Sequence, residues 1–244
     1  MQPYYQDESV TIYNADCRDV LPTLDKVDLV LTDPPFSEYT HVNAKSNRGI
    51  GHGNRAIDFR PIDFQEIFNL FSSCGKICDG WLVSFLDHSH IARMEIEAPE
   101  PWEFMRFGVW VKTNPMPQIS ADRPANGWDG ILYMRNGVTK PRWNGGGVNG
   151  NYIGPTINDG VHPTGKPIVF LKKIVQWFTS SGDTILDPFM GSGTTLRAAK
   201  DLNRKVIGIE IEERYCEIAA KRMPQMAMEL QLVSSLPPEV MLIP

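Results

Sequence analysis

DTILDPFMGSGTTLRAAKDLNRKVIGIEI, residues 183–211, is the stretch that decides the fold. DTILD (183–187) has the length and apolar content of a strand, and TTLRAAKDL (194–202) has helical spacing. KVIGIEI (205–211) is a second strand. Between the first strand and the helix lies the turn Asp187-Pro188-Phe189-Met190-Gly191-Ser192-Gly193-Thr194-Thr195. Glycines there let the backbone approach a ligand closely, and the helix start offers free N–H groups. The second strand ends in Glu210, placed to take both hydroxyls of a ribose. No lysine occupies a phosphate-loop position, so the expected ligand is a nucleoside without a long phosphate tail.

The same alternation extends outward. Ile168, Leu171, Ile174, Val175 and Phe178 mark a helix before the turn, and ERYCEIAAKR (213–222) a helix after it. Upstream, TIYNAD (11–16) reads as a strand ending in an acid. VDLVLTDPP (27–35) is a near-continuous apolar run stopped by prolines, as suits a central strand covered on both faces. Phe64, Ile67, Phe68, Phe71, Cys74 and Cys78 predict an amphipathic helix. WLVSFL (81–86), FMRFGVWVK (104–112) and GILYMR (130–135) predict strands. The expected fold is α/β: a parallel, doubly wound Rossmann-like sheet in a single domain spanning residues 1–244. Residues 37–61 and 136–161, rich in Gly and Asn with basic or aromatic residues, resist assignment and read as functional insertions. The tail from Met223 onward reads as peripheral.

Composition sets the outer bounds. With 42% hydrophobic residues the 244-residue chain can bury one sizeable core. No apolar run is long enough to span a bilayer, so no membrane partner is expected. MQPYYQDESV lacks the basic start and apolar stretch of a secretory signal, and a cytoplasmic setting is expected. Cys17, Cys74, Cys78 and Cys216 match no zinc spacing and read as reduced, buried thiols; His88 and His90 read as a loop pair, and no metal is expected. The net charge of −5 is unevenly spread. Lys45, Arg48, Arg55 and Arg60 outweigh Glu38 and Asp58 in residues 34–60, and basic residues also prevail in 103–143.

Two further motifs carry chemistry. Asp33-Pro34-Pro35-Phe36 falls where a central strand ends, the place where doubly wound folds put their reactive groups. A carboxylate, a rigid diproline and an aromatic face suit a flat amine; the same residues would also make a plain strand-ending turn. His162-Pro163-Thr164-Gly165-Lys166-Pro167 precedes a helix, where proline favours the first turn. Taken in order, Asp33 to Phe36, His162 to Pro167 and Asp187 to Thr195 resemble the β-class DNA amino-methyltransferases, in which the catalytic motif precedes the cofactor motif in a circularly permuted order. The resemblance covers residues 10–36 and 160–222 and only loosely the middle.

That resemblance implies S-adenosylmethionine as cofactor. It assigns the cofactor's glycine motif to Asp187, Phe189, Gly191, Gly193, Thr194 and Thr195, the ribose acid to Glu210 and the adenine-contacting acid to Asp16. His162, Thr164 and Lys166 would lie near the methionine moiety, and Asp33, Pro34, Pro35 and Phe36 would be catalytic. The family usually has tyrosine at the place of Phe36; stacking survives that change and a hydroxyl is lost. The implied activity is transfer of a methyl group to the exocyclic N6 amine of adenine in DNA, since the motif begins with Asp and not with the serine typical of cytosine-N4 enzymes. Cytosine-N4 methylation of DNA, adenine methylation of RNA and a catalytically silent binding subunit stand as alternatives. Loops 37–61 and 136–161 would border the nucleic acid, with Arg48, Arg55, Lys140 and Arg142 on phosphates. The short region 136–161 leaves a homodimer open as a means of reading DNA.

Overall fold

The computed structural model describes residues 1–37, 61–115, 117, 124–141, 143–156 and 165–224. Its frame is a nine-stranded sheet. In chain order the strands are β1 (Tyr5–Gln6), β2 (Val10–Asn14), β3 (Val27–Thr32), β4 (Cys78–Leu86), β5 (Trp102–Lys112), β6 (Trp128–Asn136), β7 (Tyr152–Gly154), β8 (Thr184–Asp187) and β9 (Lys205–Glu210). The helices are α1 (Cys17–Val20), α2 (Phe64–Ile77), α3 (His88–Ile96), α4 (Ile168–Phe178), α5 (Thr194–Asp201) and α6 (Glu213–Arg222). Across the sheet the order is β1-β2-β9-β8-β3-β4-β6-β5-β7.

Strands β2, β9, β8, β3 and β4 are parallel neighbours, as the alternation of strands and helices implies. β6 departs from the all-parallel expectation by running antiparallel to both β4 and β5. The crossover through α3 carries the chain from β4 past one strand position to β5, and β6 turns back to fill the gap. β1, added to the edge, is antiparallel to β2.

Both faces are covered, which explains why the strands read as unbroken apolar runs. Successive side chains alternate between faces. Leu29, Leu31, Val83, Phe85 and Ile131 pack with Phe170, Leu171, Ile174 and Leu196 of α4 and α5. Val30, Leu82, Leu86 and Leu132 pack with Phe64, Ile67, Leu70 and Phe71 of α2 and with Ile91 and Met94 of α3. Phe71, Phe85 and Phe170 are among the largest fully buried side chains, and each truncated to Ala would cost about 3–5 kcal/mol. A capping box starts α2: Asp63 Oδ1 accepts from Glu66 N at 2.8 Å and Glu66 Oε2 accepts from Asp63 N at 3.2 Å.

The sheet changes direction between β8 and β3. From β8 the chain moves through α5 to β9 on one side, and from β3 it moves through α2 to β4 on the other. Strand order reverses at that crevice, the usual ligand position in open α/β sheets. Two bonds clamp it: Thr184 N donates to Asp28 Oδ2 at 2.8 Å near the amino ends, and Thr32 Oγ1 to Asp187 Oδ1 at 2.9 Å at the carboxyl ends. Among the described residues no helix is long and apolar enough to cross a membrane. All four cysteines are buried and unpaired, as expected.

Candidate active site

Every strand of the parallel set ends on or beside an acid. Asp16 follows β2, Glu210 ends β9, Asp187 ends β8, Asp33 follows β3 and Asp87 follows β4. Strand ends expose free carbonyls and make the turns that shape a mouth, so five carboxylates line one rim of the sheet.

At the β3 end, Asp33-Pro34-Pro35-Phe36 leads to Ser37, whose N–H donates to Asp87 Oδ2 at 3.1 Å. Asp87 also caps α3, accepting from His90 N at 3.1 Å and Ser89 Oγ at 2.5 Å. Burial pushes its carboxyl up, but these three donors outweigh burial and hold it at about 2. Pro34 is buried, while Asp33, Pro35 and Phe36 are partly exposed. Lys166 reaches in from just before α4 and places Nζ 2.5 Å from Asp33 Oδ2. Its ammonium also lies 4.8 Å from the Phe85 ring centroid and 5.8 Å from that of Phe36. Burial raises the Asp33 carboxyl above its ordinary value and Lys166 opposes the rise. A second pair, Lys112 Nζ to Asp129 Oδ1 at 2.6 Å, closes the mouth from the facing ends of β5 and β6.

At the β8 end, Gly191 and Gly193 take φ of +50° and +80°, the left-handed region that favours glycine. A Cβ on Gly193 would also come within 2.8 Å of the Ala219 Cβ. Gly191 N donates to Glu210 Oε2 at 3.1 Å and Glu212 N to Glu210 Oε1 at 2.9 Å, so the β9 carboxylate is fixed against the glycine turn. Burial raises the Glu210 carboxyl, and these N–H groups oppose the rise. Asp187 is 2% exposed, and burial pushes its carboxyl up to about 7 against hydrogen bonds from Thr195, Thr32 and the Phe189 N–H. Thr194 and Thr195 open α5, and Phe189 is partly exposed. Beside β9, Asp16 caps α1; its hydrogen bonds from Arg18, Nε to Oδ1 at 2.9 Å and Nη2 to Oδ2 at 2.5 Å, lower its carboxyl. Asn14 Nδ2 donates to Glu210 O at 3.1 Å, joining the ends of β2 and β9. Together these residues form a strip of carboxylates beside a turn in which two of three residues are glycine.

The structure therefore brings Asp33, Pro34, Pro35, Phe36, Lys166, Asp187, Phe189, Gly191, Gly193, Thr194, Thr195, Glu210 and Asp16 to one rim. His162, Thr164, Arg48, Arg55 and Arg142 lie outside the described residues. Lys140 is placed elsewhere. β6 runs antiparallel, so its end lies at the amino ends of the parallel strands: Asn136 Nδ2 donates to Cys78 O at 3.0 Å and Lys140 N to Asn136 O at 3.1 Å. Asn144 bonds the carbonyls of Trp177 and Thr179 near the same end. The expectation that the whole of 136–161 borders the catalytic motif is thus corrected for its described residues: Thr139, Lys140 and Asn144 are at the opposite end, while β7 returns towards Lys112. His88 and His90, read as a loop pair, begin α3, and His90 is buried. Sequence reasoning missed Asp87 and the Lys112–Asp129 pair. An acid directly before a helical stretch was the available signal for Asp87; the ion pair, formed across two strands, had none. A cavity of about 300 Å³, lined by Ser9, Thr184 and Lys205, opens at the amino ends of β8 and β9, away from this rim.

Residues 27–221 match the family described as DNA methylase, N6_N4_Mtase. The Type II methyltransferase M2.LlaDCHI of Lactococcus lactis subsp. cremoris is 29% identical over 258 residues, covering 91% of this chain and 92% of that protein. M2.DpnII of Streptococcus pneumoniae, also a Type II methyltransferase, is 28% identical over the same shares. The crystal structure of the M1.HpyAVI–SAM complex superposes with a TM-score of 0.68 at 28% identity, covering 88% of this chain and 99% of that one.

Proposed function

The chain belongs to the N6/N4 DNA methylase family, and we propose that it transfers a methyl group from S-adenosylmethionine to the exocyclic N6 amine of adenine in DNA. The observation that carries this reading is the adjacency, across β3 and β8, of an Asp-Pro-Pro-Phe turn and a glycine turn with its own strand-end acid. The residues fit the cofactor. Glu210, already oriented by Gly191 and Glu212, has the chemistry for the ribose hydroxyls, and Asp16 that for an adenine amine once it shares its oxygens with Arg18. Gly191 and Gly193, with no Cβ and positive φ, would let the backbone come close to the cofactor. When bound, S-adenosylmethionine would supply an electrophilic methyl group on a sulfonium, whose methyl–sulfur bond breaks as the methyl is passed on, so that sulfur keeps the electron pair and S-adenosylhomocysteine leaves as a neutral thioether.

The chain's part is to make a poor nucleophile attack. The lone pair of an exocyclic amine is delocalised into its ring. Asp33 is to accept one N–H of that amine and the Pro34 carbonyl the other, which favours a pyramidal nitrogen and localises the lone pair. Phe36 is to stack on the base. As the N–C bond forms, nitrogen gains positive charge and sheds one proton, for which Asp33 is the nearby acceptor. Fixing both reactants on one rim supplies much of the rate. A paired base cannot reach such a rim, so it must leave the duplex stack. Asp at position 33, where serine would point to cytosine-N4, favours adenine. His162 and Thr164 remain proposed cofactor contacts on sequence grounds.

The test is direct: incubate the protein with genomic DNA and methyl-labelled cofactor, digest to nucleosides and identify the labelled base. N6-methyladenosine in the deoxy series supports the reading. Label on cytosine N4 moves the substrate, and no transfer to any DNA sinks it.

A further inference from the structure

Resting on that reading, we propose that Lys166 is a positioning residue for Asp33: its ammonium grips Oδ2 and presents the other carboxylate oxygen to the amine, a role distinct from holding the methionine end of the cofactor. The Lys166 side chain is 6% exposed, and its hydrogen bond to Asp33 is the one it makes to a described residue. A buried ammonium without water must be paired, and here Asp33 is paired to it at 2.5 Å while the Phe85 and Phe36 rings flank its charge. The fold holds this arrangement still, because Lys166 directly precedes Pro167, whose carbonyl receives the first bonds of α4.

The pair solves a chemical problem of the site. An ionised carboxylate offers two strong acceptor oxygens and can take up a proton, which the neutral acid cannot, whereas burial at this rim favours the protonated acid. The charges facing Asp33 come from four elements. Lys166 before α4 and Lys112 on β5 favour the ionised form, while Asp129 on β6 opposes it and Asp187 on β8 is itself disfavoured by Asp33. Lys112 is already engaged by Asp129, which leaves Lys166 as the cation that sets the state of Asp33. With Oδ2 engaged by Lys166, Oδ1 is the oxygen left to accept the amine N–H.

Lys166→Met, Lys166→Gln and Lys166→Arg test this. Single-turnover transfer with saturating DNA and cofactor is measured from roughly pH 5 to pH 9, and cofactor affinity by calorimetry. In Met and Gln the acid limb of the rate profile should move up by about 1–3 pH units, rate returning at high pH, with cofactor affinity unchanged. Arg should restore the limb. Gln keeps the test open if Met does not fold. An acid limb that stays in place while cofactor affinity falls overturns the proposal and gives Lys166 to the cofactor. Carbon-13 NMR of the Asp33 carboxyl, assigned with Asp33→Asn, reads the same pairing without turnover. Its midpoint must rise in Lys166→Gln, and an unmoved midpoint also overturns the proposal. Should the wild type methylate no DNA, the methyltransferase reading fails, and the NMR midpoint still decides for or against the pair.

Discussion

Thr32 Oγ1 donates to Asp187 Oδ1 at 2.9 Å, tying the strand that leads to the Asp-Pro-Pro-Phe turn to the strand that leads to the glycine turn. Both side chains are buried, so neither finds water if the other is removed. Thr32→Val should therefore lower stability by about 1 kcal/mol in denaturant unfolding. Wild-type stability in that variant would mean the bond is not formed in solution.

Asp187 gives a signed pH dependence. Its carboxyl is pushed from an ordinary 3.8 up to about 7 by burial. A folded midpoint above the unfolded one means that ionisation is resisted by the fold. Relative to Asp187→Asn, wild-type stability should fall as pH rises from about 4 to about 7 and stay level beyond, by about 4 kcal/mol at most. Thermal unfolding of both proteins across that range checks it, and parallel curves would refute the shift.

Asp33→Ala should cut single-turnover transfer by about a hundred- to a thousandfold, since it removes a partner whose hydrogen bond strengthens as the nitrogen turns nucleophilic. It also strands the Lys166 ammonium, at a cost of about 3–5 kcal/mol. Asp33→Ala with Lys166→Met should recover stability but no activity. Full transfer by the single variant would dismiss the assigned site whatever the fold.

Glu210→Ala should act on cofactor binding and not on the chemical step. Losing charged hydrogen bonds to ribose at about 1.5–3 kcal/mol each predicts at least a tenfold weaker dissociation constant by calorimetry. The released Gly191 and Glu212 N–H groups add to the loss. Unchanged affinity would take Glu210 out of the site.

Phosphate contacts are separable by salt. Arg48→Ala and Arg55→Ala should each flatten the log–log salt dependence of DNA binding by about one unit. Lys140→Ala, at the other end of the sheet, should leave the slope as it is. A slope that changes only with Lys140 would place the DNA on the opposite face of the molecule.

The central layers were legible because burial on both faces leaves an unmistakable trace. In VDLVLT and KVIGIE the polar residues sit at or next to the ends, and the turns after VDLVLT and TILD carry Pro and Gly where the backbone demands it. The rim was legible for the same reason, since Asp33, Asp187 and Glu210 each end an apolar run. What escaped depends on partners far away in sequence. The direction of β6 is set by the position that β5 leaves empty. β7 is three residues long and is defined by its pairing with Trp110, Val111 and Lys112. The contact of Lys166 with Asp33 spans 133 positions, and no local pattern announces it.

The order of strands also bears on how the protein is made. β3 sits beside β8, with Leu29 opposite Ile185, and β2 beside β9, with Val10 opposite Val206. On the ribosome β3 is complete long before its neighbour β8 has been translated. Its apolar edge must wait for β8, and that of Val10 and Ile12 for β9, which emerges later still. Pairings so distant in sequence form slowly, and nascent chains stalled before β9 present two open strand edges to one another. Until then the apolar edges of β2 and β8 stand uncovered.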